Sequence, residues 1–309
     1  MMRRLMWIPL GLAGLALCAV WVAADERKGP RAFETAEAAA RAAIEAARTN
    51  DDDALRALLG PKCDDLVQRG GDPLVARERA TFARLADERL VLEAQPDGSR
   101  LLVVGRHGWP LPIPIAQVGK RWQFDAAAGR EEMLARIVGE NELNAIELCR
   151  LYARAQVAYA RKDRDGDKVR EYAQRLNSSD GKQDGLYWEA APGDETSPIG
   201  PLIESARPYL KDRKAGDPFG GYYWLILNRQ GTHAPGGRHG YVINGNMIAG
   251  FALVGFPAAY DRTGVMTFLV SHHGEILQKD LGPKTRARVQ AMEGFDPDPS
   301  WDVVVRRSR

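Results

Sequence analysis

Hydrophobic residues follow a helical period over one long stretch near the middle of the chain, from Asn141 to about Tyr159. One face of this predicted helix consists of residues three or four positions apart: Ala145, Ile146, Cys149, Tyr152, Ala153, Gln156 and Tyr159. Leu148, Leu151 and Ala158 widen this face until most of the helix is apolar. Because such a helix needs cover on several sides, we predict that it forms the spine of a hydrophobic core, and we call it the spine helix.

The chain before the spine helix changes from a helical to a strand period near residue 89. Helices are predicted at residues 35–48, 54–59 and 74–85, and strands at 89–94, 100–104 and 121–124. Thr35 is the predicted N-cap of the first helix, and the acidic run 50–53 is placed to cap the second. Residues 109–115 alternate proline with large apolar residues, which indicates an edge strand or an extended strap, because proline cannot donate to a sheet.

The rest of the chain combines short helices and turns with a final third that has strand periods. A connecting helix is predicted at 130–138, with Gly139 interrupting it before the spine helix, and a short helix at 168–175. Strands are predicted at residues 222–228, 250–256, 265–271 and 275–279, and a last helix at 285–292. The predicted class is therefore α+β, with an N-terminal domain at 33–129 and a C-terminal domain at 130–309 in which the spine helix packs on an antiparallel sheet.

The first 24 residues have the order of a secretory signal peptide. Arg3 and Arg4 form a basic start, residues 5–23 are apolar and uncharged, and Ala24 precedes a polar segment that begins at Asp25. We predict cleavage after Ala24 and a periplasmic or secreted mature protein with no membrane span. The alternative is an uncleaved anchor, since about 19 apolar residues are long enough to span a bilayer.

Removing that segment changes both the charge and the cysteine content. Without Arg3 and Arg4, the 43 basic residues fall to 41, which equals the 41 acidic residues. A net charge near zero argues against nucleic acid as the main partner. Cys63 and Cys149 are left, and export would permit them to pair, but the apolar setting of Cys149 favours two free thiols.

Several long motifs occur in a fixed order along the mature chain: NELNAIELCRLYARAQVAYARKDRDGD, GKQDGLYW, SPIGPL, GYYWLIL, GFALVGFPAAYDRTGVMTFLVS and QKDLG. Together they resemble the bacterial domain-of-unknown-function family 2950, from about Phe33 to Trp301. This resemblance implies an exported bacterial protein. It implies no activity and assigns no catalytic residue.

Each predicted domain also resembles a known arrangement. Helices followed by a small antiparallel sheet are similar to the nuclear-transport-factor-like or cystatin-like arrangement, which carries no activity by itself. The spine helix with AI–x(8)–AQ–x(2)–Y, followed by a loop and a sheet ending GVMTFLVSHHGEI, looks like the globular head of type IV pilins and pseudopilins. Pilins join the membrane helix directly to the spine, whereas roughly 115 residues separate the two segments here. Polymerisation by the pilin route is therefore not expected.

An acidic turn follows the spine helix. Asp163, Asp165 and Asp167 alternate along the chain, and Glu171 follows as a fourth carboxylate. Calcium prefers several oxygen ligands from a flexible loop, so these four residues are the candidate metal ligands. The loop is not an EF-hand, because lysine and glutamine occupy the sixth and twelfth positions. The alternative is a solvated acidic turn that ends the helix.

No catalytic or cofactor motif accompanies this turn. The sequence lacks HExxH, GxSxG and P-loop patterns. Aromatic residues in the C-terminal half form core or a ligand groove: Trp188, Tyr222, Tyr223, Trp224 and Phe256. We therefore expect a non-enzymatic exported protein that acts as a binding or assembly component with envelope partners. The alternative is a periplasmic hydrolase, which a deep cleft lined by convergent polar residues would favour.

Overall fold

The computed structural model describes residues 29–61, 63–67, 70–191, 193–200 and 217–304. The predicted signal peptide lies outside these residues. The chain divides into two compact units, one ending at Ala135 and the other beginning at Arg136. Both units combine helices with antiparallel sheets, so the α+β class is confirmed. The predicted domain boundary after residue 129 stays a prediction.

The N-terminal unit begins with the predicted helices, and they begin and end close to where the sequence signals place them. They are α1 (Ala36–Arg48), α2 (Asp52–Leu59) and α3 (Pro73–Glu88). Thr35 caps α1 by accepting from the backbone N–H of Ala38, and Asp51 caps α2 by accepting from Ala54. The acidic run therefore serves as a helix cap, as predicted.

The same unit continues into an antiparallel sheet. Its strands are β1 (Leu90–Ala94), β2 (Arg100–Val104), β3 (Trp109–Pro110), β4 (Ile115–Val118) and β5 (Arg121–Phe124). They run in the order β1-β2-β4-β5, with β3 paired to β2. The proline-rich stretch is thus a strap with a two-residue strand at its start. The buried alanines of α1 pack against Leu102, Ile115 and Phe124, which makes the core of this unit.

One long helix, α4 (Ala126–Tyr159), contains the predicted connecting helix and the spine helix without a break. The prediction that Gly139 interrupts it was wrong. A glycine inside a helix costs only about 1 kcal/mol relative to alanine, and the long apolar face that follows outweighs this cost. The predicted face of the spine helix is correct, since Ala145, Cys149, Tyr152 and Tyr159 are all buried.

The main sheet of the C-terminal unit supplies the other side of this core. Its order is β14-β13-β12-β11-β6, all antiparallel. The strands are β6 (Tyr222–Leu227), β11 (Ala252–Pro257), β12 (Met266–Ser271), β13 (Ile276–Asp280) and β14 (Asp302–Val303). The phenol of Tyr152 on α4 donates to the carbonyl of Ala252, and its ring meets Phe251 edge-on. The spine helix therefore packs on the sheet as predicted.

Two small β-ribbons and a last helix complete this unit. One ribbon joins β7 (Arg229–Gln230) to β8 (His239–Gly240), and the other joins β9 (Val242–Ile243) to β10 (Asn246–Met247). Helix α5 (Thr285–Gln290) follows β13. The periodicity did not show these ribbons, because two-residue strands are too short to establish a period.

The helix predicted at 168–175 is absent, and an extended segment takes its place. Lys168 has a φ of 73°, which no helix accommodates. Tyr172 then forms an antiparallel bridge to Met247 of β10. Pairing with a distant ribbon thus overrides the local helical preference of this segment.

Candidate functional site

The acidic turn brings three of its four predicted carboxylates together. One oxygen each from Asp163, Asp165 and Asp167 lies within 4.8 Å of the others, and all three residues are exposed. Glu171 lies outside this group. Its Oε2 accepts from the backbone N–H of Met247 at 3.0 Å, so it supports the bridge to β10 instead.

Backbone donors hold the carboxylates of the turn in place. Both oxygens of Asp163 accept backbone N–H groups, from Gly166 at 2.8 Å and from Lys168 at 2.9 Å. These hydrogen bonds to the charged form hold the pKa of Asp163 below its usual range. Asp167 accepts from the side-chain amide of Asn246 at 2.6 Å. The turn is therefore a closed loop that is anchored on the ribbon β9–β10.

The C-terminal unit also contains a polar cleft of about 680 Å³, which we call the ribbon cleft. Its innermost apolar side chains are Leu269 of β12 and Leu281, both almost fully buried. The ribbon β7–β8 forms one part of its lining. The segment from Ala291 to Trp301 forms the adjoining part, and it pairs with β7 through the bridge between Gln230 and Phe295. This volume is typical of small-molecule sites, which range over about 300–1,000 Å³.

Two arginines share the ribbon wall of this cleft. Arg229 pairs with Gly240 across the ribbon, Arg238 comes directly before β8, and both arginines line the cleft. Gln230 and His239 face the other way. The side chain of Gln230 is buried, donates to the carbonyls of Pro235 and Gly237, and accepts from the phenol of Tyr241. The ribbon thus has a structural face and an arginine face.

The acidic groups of the segment 291–301 are engaged by neighbouring side chains and by the backbone. Asp296 accepts from His233 twice, from the backbone N–H at 2.7 Å and from Nδ1 at 3.0 Å. Asp298 lies 3.5 Å from the ammonium of Lys279 and accepts from Ser300. Lys279 also lies 5.8 Å from the centre of the Trp301 ring. These contacts fix this part of the lining, and the ammonium of Lys279 compensates the charge of Asp298.

The cysteines and the aromatic residues belong to the cores. Cys63 and Cys149 are free, buried thiols, as predicted. Burial raises the pKa of Cys149 to about 12, so this thiol stays protonated and unreactive at neutral pH. Tyr222, Phe256 and Trp188 are buried, and Tyr223 and Trp224 pack against the same core. The aromatic residues thus form core, not a groove.

Sequence reasoning did not identify His233, Arg229, Arg238 or Asp296 as site residues. The glycines between the two arginines indicate a hairpin, which was a usable signal. The pairing that brings both arginines to one cleft required the structure. Nothing local connects His233 with Asp296, because 63 positions separate them.

The fold and the ribbon cleft define the class of protein: an α+β chain of two units, with a polar cleft in the second. A family model described as "Protein of unknown function (DUF2950)" matches residues 30–304, and the chain belongs to this family. The predicted family resemblance is thereby confirmed. No curated protein and no solved structure matched the chain.

None of the helices within the described residues is both long enough and apolar enough to cross a bilayer.

Proposed function

We propose that this protein is exported to the bacterial envelope and acts there as a non-enzymatic binding protein, with the ribbon cleft as its binding site. The observation that carries the proposal is the cleft itself. It combines a suitable volume, an apolar interior at Leu269 and Leu281, and polar groups in both parts of its lining. The signal-peptide order of residues 1–24 supports export, and envelope proteins are the expected partners.

The available polar groups of the cleft favour binding over catalysis. Arg229 and Arg238 have no ion-pair partner within the described chain, whereas Asp296 and Asp298 are engaged by His233 and Lys279. A guanidinium stays protonated at any physiological pH and therefore positions a ligand without exchanging protons. The two guanidinium groups are thus suited to holding a ligand.

The folds of the two units support a related proposal about architecture. In the C-terminal unit a long helix lies on an antiparallel sheet, which supports the proposal of a pilin-like head. In the N-terminal unit three helices cover a small antiparallel sheet, which agrees with a nuclear-transport-factor-like or cystatin-like arrangement. These analogies carry no activity of their own.

A ligand screen tests the binding proposal. The Nε1–H resonance of Trp301 would report binding in the ribbon cleft during a screen of small polar compounds. A side chain added at Gly240 meets only the carbonyl of Val242, at 3.9 Å, so Gly240→Phe should fill the cleft without strain. Hits should be lost in Gly240→Phe and retained in Gly71→Phe, a change at an exposed glycine in open space in the other unit. Compounds that still bind to the Gly240→Phe variant would show that the ribbon cleft is not the binding site.

One observation favours the alternative, a periplasmic hydrolase. Asp296 holds His233 through Nδ1, which leaves Nε2 free, and this is how an acid orients a histidine general base. If the pair is catalytic, a screen of ester, amide and phosphoester substrates should detect turnover that His233→Gln lowers by about 10²-fold or more. Turnover that is unaffected by His233→Gln would reject this role.

We also propose that calcium binds the acidic turn. The observation in favour is the convergence of Asp163, Asp165 and Asp167 within 4.8 Å on a glycine-containing loop. Glu171 is removed from this ligand set by its bond to β10. Calcium would act here as a structural ion that stabilises the turn against the ribbon.

A further inference from the structure

We propose that the ligand of the ribbon cleft carries an oxyanion, a carboxylate or a phosphate, which Arg229 and Arg238 bind together. This inference rests on the proposed function and specifies the chemistry that the cleft recognises. The inference follows from the position of the two arginines in the cleft, from their lack of ion-pair partners and from the pairing of the other charges in the cleft.

The register of the ribbon places the two arginines side by side. Arg229 lies opposite Gly240, Arg238 comes directly before β8, and both line the cleft. In a regular antiparallel pair, positions offset in this way are diagonal neighbours about 7–8 Å apart, a distance that long side chains span easily. Gly240 carries no side chain between them, and the neighbouring space is open. Both guanidinium groups are therefore able to reach one anion in the cleft.

The stem of Arg229 is held, whereas its charge is left unpaired. A Cβ at Gly294 would come within 2.6 Å of both the Cγ and the backbone carbonyl of Arg229, so this glycine lets its segment pair closely with β7 beside the arginine stem. Neither Arg229 nor Arg238 has an ion pair or a side-chain hydrogen bond within the described residues. Two neighbouring like charges without ion-pair partners repel each other, and a bound oxyanion would relieve that repulsion.

The remaining charges of the cleft restrict the ligand further. Lys279 is engaged by Asp298 and Ser300, and Asp296 is engaged by His233. Glu293 lines the cleft as a carboxylate without an ion pair in the described chain. It disfavours a second anionic group, so the ligand carries one oxyanion and is otherwise neutral or cationic. Guanidinium binds both carboxylate and phosphate in a bidentate manner, which makes the oxyanion the shared chemistry.

The first experiment titrates the full mature chain with two probes, inorganic phosphate and acetate, at constant ionic strength. The Nε–Hε resonances of Arg229 and Arg238 should shift saturably with at least one probe. Arg229→Gln and Arg238→Gln should each weaken that binding by about tenfold or more, because a hydrogen bond to a charged group is lost. The probe that binds more tightly distinguishes a phosphate ligand from a carboxylate ligand.

A matched variant controls for the loss of one positive charge. Arg262 is exposed, lies in the same unit and has no side-chain partner in the described chain. Arg262→Gln should therefore leave the affinity for both probes unchanged. Equal weakening in all three variants would show only general electrostatic attraction and would overturn the proposal. Circular dichroism and thermal melting of each variant confirm that the fold is retained.

The outcome separates this inference from the proposed function. If uncharged compounds bind in a manner that Gly240→Phe abolishes, while neither anion shifts the arginine resonances, the cleft is a binding site and the oxyanion inference is wrong. If neither anions nor uncharged compounds bind, both proposals fail. Anion binding that requires both arginines and is blocked by Gly240→Phe supports both.

Discussion

At the scale of single residues, the setting of His272 perturbs its charge state. Its ring meets Tyr241 and Phe251 edge-on and lies 4.1 Å from the ring of His273. Its Nδ1 is buried and has no hydrogen-bond partner among the described residues. Burial lowers the pKa of His272 most, and the neighbouring His273 and His239 lower it further. The folded protein therefore favours the neutral ring.

This lowered pKa predicts that stability falls in mild acid. The unfolded chain binds a proton at His272 near the ordinary value of about 6.5, before the folded chain does. The stabilising contribution of the neutral ring is thus complete above about pH 6.5 and is lost as the pH falls towards the lowered folded pKa. Urea unfolding at pH 7.5 and pH 5.5 would measure the loss.

His272→Phe is the variant that isolates this effect, because phenylalanine keeps the edge-on contacts with Tyr241 and Phe251 and does not titrate. Its free energy of unfolding should change less between the two pH values than that of the wild type. A pH dependence identical to that of the wild type would show that protonation of His272 does not oppose folding.

At the scale of elements, the spine helix has an apolar face and an exposed face. One substitution on each face can distinguish them. Ile146 is partly buried and packs against the core, whereas Leu143 is 65% exposed. Ile146→Asp should lower the free energy of unfolding by about 2 kcal/mol or more, since it forces a carboxylate against apolar side chains. Leu143→Asp should change it by less than about 0.5 kcal/mol. Thermal melts of the two variants test the difference, and equal melting temperatures would mean that the helix face is wrongly assigned.

The acidic turn is the second element with a direct test. If calcium binds Asp163, Asp165 and Asp167, it relieves their mutual repulsion and raises the melting temperature by mass action. The protein should melt higher in millimolar calcium than in chelator, and magnesium should do less, because it gives up its waters reluctantly. Isothermal titration calorimetry should detect the binding directly.

Charge-neutral variants separate a site from simple screening. Asp165→Asn with Asp167→Asn should abolish the calcium-specific shift. Asp180→Asn with Asp194→Asn removes two exposed carboxylates elsewhere in the same unit and should leave the shift unchanged. If magnesium and calcium act equally, or if calorimetry detects no heat, the turn serves only to end α4 and to anchor the ribbon β9–β10.

For the whole molecule, the testable expectation concerns the mature N-terminus. The basic, apolar and small-residue order of residues 1–24 predicts cleavage after Ala24. N-terminal sequencing of exported protein should therefore begin at Asp25. An intact Met1 recovered in the membrane fraction would instead indicate the uncleaved anchor.

The sequence by itself determined the elements whose signals are local. Helix α1 begins at its Thr35 cap, and strand β2 occupies the predicted residues 100–104, because capping and periodicity act over a few neighbouring positions. The spine helix was recognisable because its buried face repeats over many residues. The convergence of the three carboxylates in the acidic turn was also predictable, because alternate residues on one tight loop lie close together.

The tertiary structure decided the features that depend on distant partners. The segment 168–175 is extended because Glu171 and Tyr172 pair with Met247, which its own composition does not reveal. The arginine face exists because Arg229 pairs with Gly240, and the Asp296–His233 pair spans 63 positions. Such contacts join residues that are far apart in the chain, so no local period in the sequence predicts them. They stabilise only the folded chain, in which the main sheet and the spine helix hold these segments together.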